Sequence, residues 1–117
     1  MGRLNSQLAI KIGTDIVFMK RYVELVNNDT FIEKILTSNE MEILSNITHP
    51  QKRLEFVCGR YAAKEAYSKA RGTGIGEITF HDVEILRNSL GAPTCDKAEV
   101  SISHDGDYAI AMVLVYE

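Results

Sequence analysis

The chain has 117 residues, 45% hydrophobic and 25% charged, with a formal net charge of −3. That length and balance suit one globular domain with a single core and exclude a disordered chain. The negative balance argues against a nucleic-acid binder. No apolar run approaches the ~20 residues of a membrane span, and the start, MGRLNSQL, lacks the apolar core of a signal peptide. The expectation is a soluble cytoplasmic protein with no membrane or nucleic-acid partner. Residues 1–117 read as one domain, with 1–7 a disordered or tag-derived lead-in, because apolar alternation begins at Leu8. Cys58 and Cys95 have no metal-ligand spacing and read as two thiols of a reducing compartment.

Leu8, Ile10 and Ile12 alternate with Ala9 and Lys11, a strand period, and Gly13 breaks that pattern. Asp15 follows between Thr14 and Ile16, where it serves either as a helix N-cap or as a functional carboxylate. Ile16 to Asn27 reads as an amphipathic helix with Met19, Val23 and Val26 on one side and Lys20, Arg21 and Glu24 facing outward. Asn27-Asn28-Asp29 is a turn, with Asp29 or Thr30 as the next cap. Phe31, Ile32, Ile35 and Leu36 have helical spacing, and a second helix starts after a break at Thr37-Ser38. His49, beside Pro50, reads as a surface residue.

A long helix is expected from about Gln51 to Ala70. At about 100° per residue, Leu54, Cys58, Tyr61, Ala62, Glu65 and Lys69 share one face, and Phe56, Ala63, Tyr67 and Ala70 the opposite one. Two apolar faces imply burial on more than one side, so Glu65 needs a cation, a metal or several donors. An ordinary Glu65–Lys69 salt bridge at i,i+4 accounts for the pair but not for its apolar setting. The run Arg71-Gly72-Thr73-Gly74-Ile75-Gly76 begins with a C-cap glycine, and its alternating glycines suit close approach of a ligand to the backbone. It is not a phosphate-binding P-loop: it lacks Gly-Lys-Ser/Thr and follows a helix.

Ile78 to Arg87 reads as a strand with an irregularity near His81-Asp82, and Asn88 to Pro93 as a turn. Glu99 to His104 is a short strand, and His104 to Asp107 a hairpin turn with Asp-Gly inside it. Tyr108 to Tyr116 is apolar on both sides, as in a central strand or one at a subunit interface. His104, where a strand meets a turn, is open to a surface, hydrogen-bonding or functional role.

Taken together, IGTDIV (12–17), Phe31–Leu36 with Glu40, GRYAAKEAYSKARGTGIG (59–76), FHDVEI (80–85), GAP (91–93) and VSISH (100–104) with Tyr108-Ala109 resemble the holo-acyl-carrier-protein synthase family. This is the short group of 4′-phosphopantetheinyl transferases. The stretches fall in the family's order and spacing. The resemblance implies an α+β fold in which an antiparallel sheet packs with one long helix, assembled as a homotrimer with active sites at subunit interfaces. It implies transfer of the 4′-phosphopantetheine arm of coenzyme A to a serine of apo-acyl carrier protein, in fatty acid biosynthesis, with Mg²⁺ required and adenosine 3′,5′-bisphosphate released.

By the same resemblance, Asp15 and Glu65 are the magnesium-binding carboxylates, and Lys69 meets the diphosphate. Arg60, Gly72, Gly74, Pro93 and His104 are coenzyme positions, Arg60 meeting the 3′-phosphate. Arg21 is a basic position on the helix that docks the acidic carrier. Lys69 would add positive charge to the diphosphate while the serine attacks the β-phosphorus in line. Glu65, acting through a metal-bound water, is the candidate base. The chain departs from the family in the acidity of its docking region, where Glu24 accompanies Lys20 and Arg21. Two other readings compete: a Mg²⁺-dependent hydrolase of coenzyme A using the same residues with water as nucleophile, and a non-catalytic coenzyme-binding subunit.

Overall fold

The computed structural model describes residues 9–72 and 79–116. The expectation for residues 1–7 lies outside them. The architecture is α+β, one antiparallel sheet with one long helix across a single face. The sheet contains β1 (Ile10–Phe18), β2 (Ile85–Arg87), β3 (Pro93–Cys95), β4 (Ala98–Asp105) and β5 (Tyr108–Tyr116), in the order β1-β5-β4-β3-β2. Among the described residues, three α-helices lie between β1 and β2: α1 (Asp29–Ile35), α2 (Ser38–Ser45) and α3 (Pro50–Arg71).

Antiparallel register puts paired residues on the same face. Gly13, Val113 and Val100 are in line, as are Asp15, Ala111 and Ile102, and Val17, Ala109 and His104. This inner face meets α3. The helix answers with small residues, Ala62, Ala63, Ala66 and Ala70, all buried. Alanine on both partners lets helix and sheet approach closely. The opposite face carries Ile12, Ile16, Ile110, Met112 and Tyr116, all exposed. The strand that looked apolar on both sides is therefore central in the sheet, buried by its Ala/Val side only.

The ends of α3 are built from local chemistry. His49, expected simply on the surface, is exposed but also caps the helix: its Nδ1 accepts from the Gln51 amide at 3.2 Å, with Pro50 in the first turn. Gly72 closes the helix at φ 79°, in the left-handed conformation that favours glycine. Burial on several sides, as the two apolar faces implied, extends from Leu54 to Ala70.

Several local expectations are corrected. Gly13 does not end β1, which runs on to Phe18 with Ile16 paired to Ile110. No helix forms over Ile16–Asn27. β-branched Ile16 and Val17 complete the strand, and two short 3₁₀ turns, Met19–Tyr22 and Leu25–Asn27, carry the chain onward. Met19 and Val26 are buried but Val23 is exposed. Asn28, not Asp29 or Thr30, caps α1, its side chain accepting from the Phe31 amide. The expected strand before Arg87 is confined to Ile85–Arg87. Upstream, Thr79 and Asp82 cap each other around a 3₁₀ turn, Phe80–Asp82. The β4–β5 hairpin pairs Asp105 with Tyr108, so Gly106-Asp107 is its two-residue loop and Gly106 takes the positive φ.

Candidate active site

β1 and α3 bring Asp15, Glu65 and Lys69 together. Asp15 faces α3 from the middle of an edge strand, which removes the N-cap alternative. Lys69 Nζ lies 2.8 Å from Asp15 Oδ1 and donates to the Thr14 carbonyl at 3.1 Å. The lysine's partner is thus the acid across the helix–sheet junction, and not Glu65 on its own helix. Glu65 is half-buried, and its carboxyl is raised above the ordinary range, first by burial and then by the charge of Asp15, with Lys69 pulling the other way. A second carboxylate that the charge of Asp15 keeps from ionising readily, beside one ammonium, forms a site suited to added positive charge.

Gly13 makes this approach possible, because a Cβ there would lie 2.8 Å from the Ala70 amide nitrogen. Gly59 acts similarly in the middle of the helix. A Cβ at Gly59 would lie 3.0 Å from Ile102 Cγ2 and 3.3 Å from His104 Nε2. His104 Nε2 is hydrogen-bonded to the Glu55 carbonyl at 3.0 Å. Glu55 and Glu65 are ten residues apart on one helix, about 15 Å at the usual rise. The histidine is therefore well separated from the carboxylates along the helix–sheet junction.

Arg60 is on neither of those spots. Its guanidinium donates to the Ile85 carbonyl at 3.0 Å and the Leu86 carbonyl at 2.9 Å, and stacks 4.2 Å above the Phe56 ring. Its pKa is lowered to about 10, chiefly by burial, with Glu40 pulling the other way and Arg87 adding to the fall. Pro93 pairs with Arg87 at the start of β3. β5 and β4 separate β3 from β1, so the strands that carry Asp15 and Pro93 are three spacings, about 14 Å, apart. Gly72 is the helix cap, and Gly74 lies outside the described residues. Arg21 is exposed on the first 3₁₀ turn, its guanidinium 5.8 Å from the centroid of the Phe18 ring; neighbouring Lys20 pairs with Asp107 at 3.5 Å.

A cleft of about 510 Å³, lined by Tyr67, Glu84, Thr94 and Cys95 among others, opens beside β2 and β3. Neither carboxylate lines it.

The roles of three residues near the site went unread in the sequence. Lys64, beside Glu65 in the chain, is fully buried. Its ammonium donates to Glu40 Oε1 at 2.6 Å, the Ile35 carbonyl at 2.7 Å and the Phe80 carbonyl at 3.0 Å. Glu40 is equally buried and also accepts from the Thr37 and Ile85 amides. Thr37-x-x-Glu40 is the sequence signature of a capping box and could have located the glutamate. Tyr61 stacks on Phe80 and lies tilted against Tyr22, and burial, Tyr22, Glu65 and Asp15 all raise its hydroxyl pKa.

Among the described residues no group of three His, Cys, Asp or Glu could hold a metal ion. Two carboxylates with open surroundings do not fit a closed zinc site. They fit Mg²⁺, which keeps several waters and completes its shell with substrate phosphate oxygens. No described helix is long and apolar enough to cross a membrane.

Comparison with known proteins follows the same lines. Residues 11–113 match the 4′-phosphopantetheinyl transferase superfamily. A holo-[acyl-carrier-protein] synthase of Streptococcus agalactiae is 48% identical over 96 residues, covering 77% of this chain and 81% of that one. One from Geobacillus is 44% identical over 117 residues, covering 92% and 97%. The crystal structure of the Bacillus anthracis holo-(acyl-carrier-protein) synthase in complex with CoA (3′,5′-ADP) superposes with a TM-score of 0.83 at 40% identity, over 92% of this chain and 98% of that one. The Helicobacter pylori synthase in complex with coenzyme A gives 0.75 at 32% identity, over 91% and 99%.

Proposed function

The chain belongs to the 4′-phosphopantetheinyl transferase superfamily, and on that premise we propose how it works as a holo-[acyl-carrier-protein] synthase. It transfers the 4′-phosphopantetheine group of coenzyme A to a serine of apo-acyl carrier protein, for fatty acid biosynthesis. Adenosine 3′,5′-bisphosphate leaves. The observation that carries the residue assignment is the convergence of Asp15, Glu65 and Lys69 from β1 and α3.

Asp15 and Glu65 would hold Mg²⁺ through carboxylate oxygens, and the ion would supply charge neutralisation at the diphosphate. Lys69 adds its ammonium to the same phosphate oxygens, where negative charge grows as the P–O bond to the leaving group breaks. The serine oxygen attacks the β-phosphorus in line, and its proton passes toward Glu65. His104, Pro93, Gly72 and Gly74 take the remainder of the coenzyme. Arg60 belongs at the 3′-phosphate end, with Nη1 the nitrogen not given to the β2 carbonyls. Arg21 contacts the acidic carrier.

A homotrimer with active sites at subunit interfaces completes the reading. Two features support it: the exposed apolar outer face of β1 and β5, and the spread of the coenzyme positions across the sheet. A cytoplasmic location fits the two free thiols, whose pKa values are raised by burial to about 12 at Cys58 and about 11 at Cys95.

The test is mass spectrometry of apo-acyl carrier protein after incubation with the chain and coenzyme A, with and without Mg²⁺. A covalent phosphopantetheine adduct that requires Mg²⁺ is expected. Cleaved coenzyme with an unmodified carrier would mean hydrolysis, and no reaction would leave a binding subunit.

A further inference from the structure

The sharpest unexplained feature of the site is that Lys69 already has a partner. Its ammonium lies 2.8 Å from Asp15 Oδ1 and donates to the Thr14 carbonyl. The proposed chemistry places that ammonium on the diphosphate and gives the Asp15 carboxylate to a divalent cation. The two demands compete while the ion pair is intact: Oδ1 is turned to the ammonium, which leaves Oδ2 for a cation, and a positive charge held at this distance repels that cation.

The two partners differ in freedom. Asp15 sits mid-strand, its backbone fixed by pairing with Ala111, and its side chain is 18% exposed. Lys69 is 54% exposed, in the last turn of α3, on a flexible stem. The lysine is the member that can move. Leaving Asp15 returns its ammonium to water or to another anion, whereas Asp15 must await a new cation where it stands.

We propose that Lys69 is a resident counter-ion that competes with the divalent cation for Asp15 and is drawn off by the coenzyme diphosphate, so that cation and coenzyme bind with positive coupling through this one side chain. The proposal rests on the reading of Asp15 and Glu65 as the cation's ligands. It assigns Lys69 a positioning role that precedes its contact with phosphate. Coupling of this kind is reciprocal: whatever factor the coenzyme adds to cation affinity, the cation adds to coenzyme affinity.

The test uses the full chain and Mn²⁺ as probe, with free Mn²⁺ measured by electron paramagnetic resonance and no carrier present. Without coenzyme, Lys69→Met is expected to bind Mn²⁺ about tenfold more tightly than wild type, and to show a smaller gain on adding coenzyme A. Loss of a nearby positive charge would by itself favour the cation, so a second readout is needed. In ¹⁵N-labelled wild type, the Lys69 ammonium signal should move to its solvent-exposed position as Mg²⁺ saturates. An unmoved signal, or Mn²⁺ affinity in Lys69→Met equal to or below wild type, overturns the proposal. If Asp15→Asn leaves Mn²⁺ binding unchanged, the metal assignment itself fails and the proposal falls with it.

Discussion

Gly13 lies directly against the backbone of Ala66 in α3, so close that a Cβ would collide with the Ala66 carbonyl and come within 2.8 Å of the Ala70 amide nitrogen. The obstacles are backbone atoms of a buried helix and cannot swing aside. In a strand a glycine is normally a weakness that a β-branched residue would repair. Here Gly13→Ala should instead cost about 3 kcal/mol or more, the upper range for overpacking. It should also push Asp15, two residues on, away from Glu65 and Lys69. Urea unfolding and the carrier-modification assay check both effects. A Gly13→Ala protein of wild-type stability would show that the helix–sheet distance is adjustable.

What could be read from the sequence divides along the range of the interactions involved. The long helix, its glycine cap, β5 and the break before Ser38 depend on neighbours within a turn or a strand, and they were legible. β1 was misread at Gly13 because the reason for that glycine is a helix more than fifty residues away. Asp15 and Glu65 stood out as acids in apolar settings. The partner of Lys69 did not, because i,i+4 spacing offered Glu65 and only the fold offers Asp15. Lys64 was invisible for a related reason. In a helix carrying several charges any one lysine reads as solvated, and its burial follows from Glu40, Ile35 and Phe80 arriving from three other segments.

The Lys64–Glu40 pair ties α3 to the end of α1, the start of α2, the 3₁₀ turn and β2. Both charges are fully buried, and between them they meet two carbonyls and two amides. Lys64→Met alone would strand the Glu40 carboxylate in the core, at a cost of about 3–5 kcal/mol. Adding Glu40→Gln removes the stranded charge, so the double variant should be more stable than Lys64→Met. A double-mutant cycle by chemical denaturation measures the difference. Strict additivity would mean that the two side chains do not act as a pair.

Glu65 should make stability depend on pH in a direction opposite to that of a salt-bridged acid. Its carboxyl is raised by burial and by Asp15. A raised folded value means that the folded state holds the proton more tightly. The stabilisation is complete below the ordinary glutamate range and is lost as pH rises through the raised value. In metal-free buffer at pH 7, Glu65→Gln should therefore melt a few degrees above wild type, with the gap closing near pH 4. Mg²⁺ should raise the melting temperature of wild type but not of Glu65→Gln. The same variant probes the chemistry: near-normal turnover at saturating Mg²⁺ would remove Glu65 as the base.

Arg21 is exposed and has no ion-pair partner among the described residues, whereas its neighbour Lys20 is engaged with Asp107. A carrier rich in carboxylates would meet Arg21 first. Arg21→Glu should raise KM for the carrier roughly tenfold while leaving KM for coenzyme A nearly unchanged, in keeping with a rim charge that steers encounter. The effect should shrink as salt is added. Equal changes in the two constants would take Arg21 off the docking face.

Met112 lies on the outer face of β5, 56% exposed, opposite Thr14 and flanked on that face by Ile12 and Ile16, which are 67% and 61% exposed. Its inner-face neighbours, Ala111 and Val113, are fully buried against α3. Met112→Glu therefore leaves the core of the subunit intact and charges only the outer surface. Three copies brought together through this face could not bury three such carboxylates without cations to match. The expected result is a folded monomer by light scattering, with a wild-type circular dichroism spectrum and transfer activity reduced about a hundredfold or more, because each site would lack its neighbour. A wild-type chain that sediments as a monomer, or a monomeric Met112→Glu that retains full activity, would place the whole site within one subunit. The separation of Asp15 from Pro93 across the sheet would then have to be bridged by the coenzyme alone.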